Sequence, residues 1–224
     1  MFFFAPLFAL LMLTTAVPTL SSTPVPRSEA ALDRRAAANG HTVAIVKVPA
    51  PWYAFDFLLA REFTKVLPLY EKADGLRFKA FSSIETKNGK CFGGIYLWNS
   101  ETQARRWYSP TWFADVEQKR GHRPEVLYYA VAEEVSFVAQ PFDYHRGEGD
   151  CVTVFVHALT PTQRRSCLAR QAGLLRTYVV REARDREGAL LLFAAAGQAT
   201  AFLAQQRATA YDWFNTPVLL NNVK

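Results

Sequence analysis

"FGGIYLWNSETQARRWYSPTWFADVEQKRGHRPEVLYY", Phe92 to Tyr129, holds a glycine pair, three tryptophans and four tyrosines. Its periodicity changes twice. "KCFGGIYLW" from Lys90 is a strand, with apolar residues on both of its alternating sets. Asn99-Ser100-Glu101 can cap a helix that runs to about Arg120, with an interruption at Ser109-Pro110 where proline removes a backbone donor. "EVLYYAVAEEV" from Glu125 is a strand again.

Working outward on the N-terminal side, Asn88-Gly89 is a strong two-residue hairpin signal. It joins Lys90 to the alternating strand "LRFKAFSSIET" from Leu76. Before that, Phe55, Leu58, Leu59, Phe63, Val66 and Leu67 recur at helical spacing between Trp52 and Glu71. Asp74-Gly75 ends this helix. "TVAIVKV", Thr42 to Val48, is β-branched and apolar, hence a strand, and Pro49 and Pro51 stop it. The order β-α-β-β-α-β is that of a ferredoxin-like unit, here over 41–140.

After a polar linker, 141–150, the same order returns over 151–224. "CVTVFVHAL" is a strand, and "TPTQRRSCLARQA" from Thr160 is a helix with proline at its start. "LLRTYVVRE" and "ALLLFAAA" are paired strands, "GQATAFLAQQRATAYDWF" from Gly197 is a helix, and "TPVLLNNV" is the last strand. Gly75-Leu76 matches Gly173-Leu174, Gln103-Ala104 matches Gln198-Ala199, and Pro124 to Val126 resembles Pro217-Val218. Each unit leaves one sheet face uncovered by helices. Packing the two sheet to sheet buries both faces, so the expected fold is α+β, an internal pseudo-dimer.

Residues 1–20 contain the uncharged run "FFFAPLFALLMLTTAV" and read as a signal peptide. Residues 21–40, rich in Pro, Ser and Thr, read as a linker, with folding starting near His41. The run is shorter than a usual membrane span of about 20 residues. No stable span is therefore expected, and a secreted or periplasmic location follows, with an uncleaved N-terminal anchor as the alternative. The net charge of +6 is spread along the chain with acids interleaved. This excludes a concentrated nucleic-acid-binding face. Cys91, Cys151 and Cys167 have no metal-ligand spacing, and three cysteines allow at most one disulfide.

"GGIYLWNSETQARRWYSPTW", followed by the Pro-Glu-Val strand, resembles the YdhR-like monooxygenase family of the dimeric α/β barrel superfamily, which includes antibiotic-biosynthesis monooxygenases. The resemblance covers about Thr42 to Val135, and Cys151 to Val223 more loosely. It implies an internal dimeric α/β barrel with a pocket between sheet and helices. It further implies oxygenation of a small aromatic or polyketide-like substrate without metal or flavin, because the deprotonated substrate itself reduces oxygen. Haem-degrading relatives use an Asn, Trp and His set, and neither unit here has a matching helix histidine.

Such a site needs a dry aromatic pocket, donors for developing negative charge, and a base. Alternation puts Phe92, Gly94, Tyr96 and Trp98 on one face of their strand, and the polar tips of Tyr96 and Trp98 make that face the candidate. Trp98, Trp107, Trp112, Asn99 and Trp52 are the expected substrate contacts. Tyr96 and His157, the one histidine within a predicted strand, are the expected catalytic groups. Core packing accounts equally for any single ring, and N-capping for Asn99. The second unit has "ALLLFAAAG" where the first has its aromatic run, so the site is expected in the first. The expected partner is a small hydrophobic or aromatic molecule. Self-association stays open, and a non-catalytic carrier of a hydrophobic ligand is the alternative function.

Overall fold

Of the 224 residues, the computed structural model describes 34–36, 40–51, 54–86, 89–138, 151–183 and 186–222. The signal-peptide reading of 1–20, the linker 141–150, Trp52, Asn88 and His145 lie outside the described residues. In chain order the elements are β1 (Arg34–Ala36), β2 (Thr42–Pro49), α1 (Asp56–Glu71), β3 (Leu76–Thr86), β4 (Gly89–Trp98), α2 (Glu101–Trp107), α3 (Pro110–Arg120) and β5 (Glu125–Ser136). They continue as β6 (Val152–Val156), α4 (Pro161–Leu168), β7 (Leu174–Arg181), β8 (Glu187–Phe193), α5 (Ala196–Gln205) and β9 (Tyr211–Asn221). The order strand, helix, strand, strand, helix, strand thus occurs twice, with the second helix of the first half split into α2 and α3.

Eight strands close into an antiparallel barrel in the order β5-β2-β4-β3-β9-β6-β8-β7, with β7 returning to β5. The two halves therefore share hydrogen-bonded edges as well as a core. The long strands β5 and β9 make both seams. β5 pairs with β2 over Glu125–Ala130 and with β7 over Val131–Ser136. β9 pairs with β6 up to Asn215 and with β3 from there to Asn221. Beyond Ala130 the β2-side edge of β5 would be unpaired, and β1 takes it, with Arg34 opposite Val135. This strand lies inside the stretch read as linker from composition.

The barrel is filled by Val43, Ile45, Phe78, Ile95, Leu97, Phe155, Tyr178, Leu190, Leu192, Phe214 and Leu219, among others. Such filling is expected of an eight-stranded barrel. Helices cover the outer face in two layers. Over the second half, Val154, Cys167, Leu191, Phe193, Ala199, Phe202 and Leu203 form an aliphatic layer with one aromatic pair. Over the first half, α1 and α2 press Leu59, Phe63, Leu67, Tyr70 and Ala104 onto the sheet.

Two of the punctuating matches read in the sequence have similar local geometry. Gly75 (φ +79°) and Gly173 (φ +70°) each occupy a left-handed turn, and a Cβ there would strike the side chain of Gln103 or Gln198 respectively. The carbonyls of these glycines accept from Asn99 N and Ala194 N at 2.8 and 2.9 Å. The Pro124 and Pro217 match does not hold. Pro124 precedes β5, while Pro217 lies within β9 beside a register break, where a missing N–H is tolerated.

Two boundaries differ from the sequence reading. α1 starts at Asp56, not Trp52, because Phe55 is still extended (ψ 150°). α5 stops at Gln205, and "YDWF" is strand. Arg207 has φ +50°, which ends the helix, and Phe214 then fills the barrel, a long-range packing gain that helical periodicity does not register.

Candidate functional site

The glycine pair of the opening motif has a steric role. Gly93 and Gly94 have φ of +147° and +134°, and a Cβ would fall 2.3 Å from Val46 O and 1.9 Å from Ala80 O. β4 is therefore gripped closely by β2 and β3, and its remaining side chains are held in fixed directions. Ile95 and Leu97 point into the barrel. Tyr96 and Trp98, 3% and 0% exposed, point to the helices. This is the face singled out by polar tips, and alternation alone left open which side it would meet.

Here Tyr96 stacks on Trp98 with centroids 6.5 Å apart and meets Tyr70 of α1 at 5.9 Å. Trp107 lies 5.8 Å from Trp98 and 5.6 Å from Tyr70. Tyr108, at the break between α2 and α3, sits edge-on to Tyr96, Trp98 and Trp112 at 5.6, 6.1 and 5.0 Å. The break is built by Ser109, whose hydroxyl accepts from Trp112 N, and by Pro110 in the first helical turn. Tyr96, Trp98, Trp107 and Trp112 thus come together, joined through Tyr70 and Tyr108.

The polar atoms of this cluster are unusual. Trp98 Nε1, Trp107 Nε1 and the Tyr108 hydroxyl are buried and have no hydrogen-bond partner among the described residues. A buried unmade hydrogen bond costs about 1–3 kcal/mol. The Tyr108 hydroxyl does lie near enough to Tyr96 and Trp98 for their dipoles to act on it, without the alignment of a hydrogen bond. Burial raises Tyr70 to about 12 and holds Tyr96 and Tyr108 well above the usual phenol range. All three phenols therefore keep their protons and can donate.

The group missed in the sequence is Lys79. It is 2% exposed, opposite Tyr96 across the β3–β4 ladder. Its Nζ sits over the rings of Tyr70, Phe81 and Tyr96 at 3.1, 3.7 and 4.3 Å from their centroids. No carboxylate pairs with it among the described residues. Burial drives its pKa well below the ordinary 10.5. Ring faces favour an ammonium by up to about 2 kcal/mol, whereas desolvating an ion costs several kcal/mol. Desolvation outweighs the rings' attraction, which is why the pKa falls. The available signal was "FKAF": a lysine between apolar residues of both faces in a strand buried on both sides.

The remaining candidates lie elsewhere. Asn99 is exposed; its Oδ1 accepts from Arg77 Nη1 at 3.4 Å, and the helix cap is Ser100 rather than Asn99. His157 stands one residue past β6, in the second half, with Nδ1 3.4 Å from Glu182 and Nε2 3.7 Å from Asp212. The Asp212 carboxylate is the main cause of its raised pKa, against the opposing effect of burial. Its ring packs on Phe155, 4.2 Å away, and touches none of the rings around Tyr96. The neighbouring cleft of about 600 Å³, lined by Ala158, Leu159, Arg181, Arg186 and Glu187, is wide open to solvent. It is not a dry site.

Cys91, Cys151 and Cys167 are thiols, and burial raises Cys167 to about 12. Among the described residues, no group of three or more His, Cys, Asp or Glu is arranged to hold a metal, and no helix is long and apolar enough to cross a membrane.

Comparison with known proteins bears on the fold. No family model matches the chain, and no curated protein does. Among solved structures, a proposed monooxygenase from Fusobacterium nucleatum is similar with a TM-score of 0.53 at 6% identity, over 82% of this chain and 95% of that one. A proposed monooxygenase from Lactobacillus acidophilus gives 0.47 at 6% identity, covering 82% and 97%. An anthrone oxidase-like protein gives 0.48 at 11%, covering 84% and 96%. The first likeness is one of fold: the two chains share a barrel architecture. Identity this low carries the fold and not the reaction.

Proposed function

We propose that the protein is a cofactor-independent monooxygenase of a small aromatic or polyketide-like substrate, acting between the sheet and helices of the first half. The observation that carries this reading is the cluster of buried Tyr96, Trp98 and Tyr108 with half-buried Trp107, in which three hydrogen-bond donors have no partner among the described residues. Phenol faces stack on such rings, and such donors suit an oxygen that gains negative charge. The substrate is its own reductant. A phenol and dioxygen give a quinone and water, one oxygen atom entering the ring and the other leaving with two hydrogens. Tyr96 and Tyr108 serve as hydrogen-bond donors, Trp98 and Trp107 as walls that also donate through their indole N–H groups, and Trp112 as a wall.

The same reading takes the barrel as two tandem ferredoxin-like units, an internal version of a dimeric barrel. The doubled element order and the equivalent contacts of Gly75 with Gln103 and Gly173 with Gln198 support it. The second unit completes the barrel, and the N-terminal apolar run makes the protein exported. The placement of His157 away from the cluster favours a second reading, a carrier that binds the same molecules without chemistry.

Titration of tryptophan fluorescence with a panel of phenols and anthrone-like ketones, with oxygen uptake followed in the same cuvette, separates these readings. Quenching with oxygen consumption is expected. Quenching without consumption supports the carrier, and no quenching by any member removes the site.

A further inference from the structure

Lys79 has a feature that packing does not require. Its position in the second half, four residues after the turn glycine, is Thr177, whose hydroxyl donates to Cys167 O at 2.8 Å. There the outer sheet face is completed by a small, satisfied side chain. In the first half the same place holds a long side chain ending in a nitrogen among three aromatic faces. Among the described residues, the titratable groups packed around it are phenols, Tyr70 and Tyr96 in contact and Tyr108 behind them.

We propose that Lys79 is the proton acceptor of this site, its uncharged amine taking the proton of a phenolic or enolisable hydroxyl. This rests on the substrate class proposed above. One O–H bond breaks and one N–H bond forms, leaving an ammonium and a substrate oxyanion; no electron is gained or lost in the step. The cage then acts selectively. Its three ring faces do little for a neutral amine and attract the ammonium once it forms. The Tyr108 hydroxyl and the Trp98 and Trp107 N–H groups are the nearby donors for the oxyanion, which accounts for donors left unmade at rest. The same geometry gives the base that His157 cannot supply from the other half, where carboxylates flank both of its ring nitrogens.

The test uses the full chain and p-nitrophenol, whose phenolate absorbs at longer wavelength than the phenol, at a pH where the free compound is mostly protonated. Tryptophan quenching reports binding, and the absorption band reports ionisation. Wild type should quench and show the phenolate band. Lys79→Met, similar in length and apolar, should still quench, with a phenolate-to-phenol ratio at least about tenfold lower, the equivalent of one pKa unit. A band undiminished in Lys79→Met overturns Lys79 as acceptor while leaving the binding site standing. Absence of quenching in wild type overturns both. If the variant does not fold, wild type labelled with ¹³C at lysine Cε decides. The Lys79 resonance should move from amine to ammonium on adding p-nitrophenol, and an unmoved resonance overturns the proposal.

Discussion

From Gly75 to Trp98 and from Gly173 to Phe193 the chain performs the same manoeuvre. A left-handed glycine opens a strand with a register break after its first residue, and a second strand returns antiparallel to it. Trp98 and Phe193 stand opposite Leu76 and Leu174, Tyr96 and Leu191 opposite Lys79 and Thr177. One half closes its outer face with leucine, phenylalanine and a bonded threonine. The other does so with a tryptophan, a tyrosine and a lysine, leaving polar atoms unmet. The second half shows that this outer sheet face can be completed without such groups, its own unmet atoms, Arg176 Nε and Gln198 Oε1, belonging to other positions. The presence of such groups on that face in the first half is thus a departure from what stability alone would select, and such departures concentrate at functional sites.

The sharpest way to break the comparison is at its largest side chains. Trp98→Ala and Phe193→Ala should each cost about 3–5 kcal/mol, measured by denaturant unfolding. Only Trp98→Ala should abolish quenching by phenols. Equal loss in Phe193→Ala would mean that both halves, or neither, hold the site. At the next level, Lys79→Met and Thr177→Val should act with opposite sign. Losing the Thr177 hydroxyl leaves Cys167 O unsatisfied and should cost about 1–3 kcal/mol. Lys79→Met relieves a buried amine and should raise the melting temperature at neutral pH.

The pH dependence carries the same contrast. Because the folded pKa of Lys79 is depressed, its share of stability is complete above 10.5 and is lost as pH falls toward the folded value. Wild-type stability should therefore climb between pH 7 and 10, and Lys79→Met should flatten that climb. Tyr70, Tyr96 and Tyr108 act oppositely, above pH 10, where their raised pKa values begin to remove stability, so the comparison belongs below that point.

A smaller effect tests the equivalence of the turns. Gly75→Ala and Gly173→Ala should each cost about 1–2 kcal/mol for the left-handed conformation, and similar losses by calorimetry would confirm that they serve one role. The smallest change is expected at His157. Its raised pKa means its contribution is full below pH 6.5 and fades as pH rises through the folded value. Asp212, depressed below 3.8, keeps its share until pH falls through that lower value. His157→Gln should cost about 1 kcal/mol or less near pH 5, and nothing in p-nitrophenol ionisation.

The alternation in β4, the split helix and the Gly-Gln matches were legible because each is a local rule with a fixed period or a fixed turn. β1 was not, since three residues in a polar stretch become strand only because β5 offers an edge. The start of β9 was hidden for a related reason: "YDWF" fits a helix locally and is a strand because the barrel needs Phe214. Of the candidate site, Tyr96, Trp98, Trp107 and Trp112 could be named from the run of rings. Lys79 could not, since period-two alternation treats a lysine as the solvent side, and only the helices show that side to be dry.

The reach of β9 has a consequence for how the protein is made. One strand near the end of the chain supplies partners to both β3 and β6. Until Tyr211–Asn221 leaves the ribosome, two strands rich in apolar residues have bare edges, the kind that pair with neighbouring chains. Barrel closure must then follow synthesis of the final strand, and a nascent chain stalled before Tyr211 should be a client for chaperones and prone to aggregate.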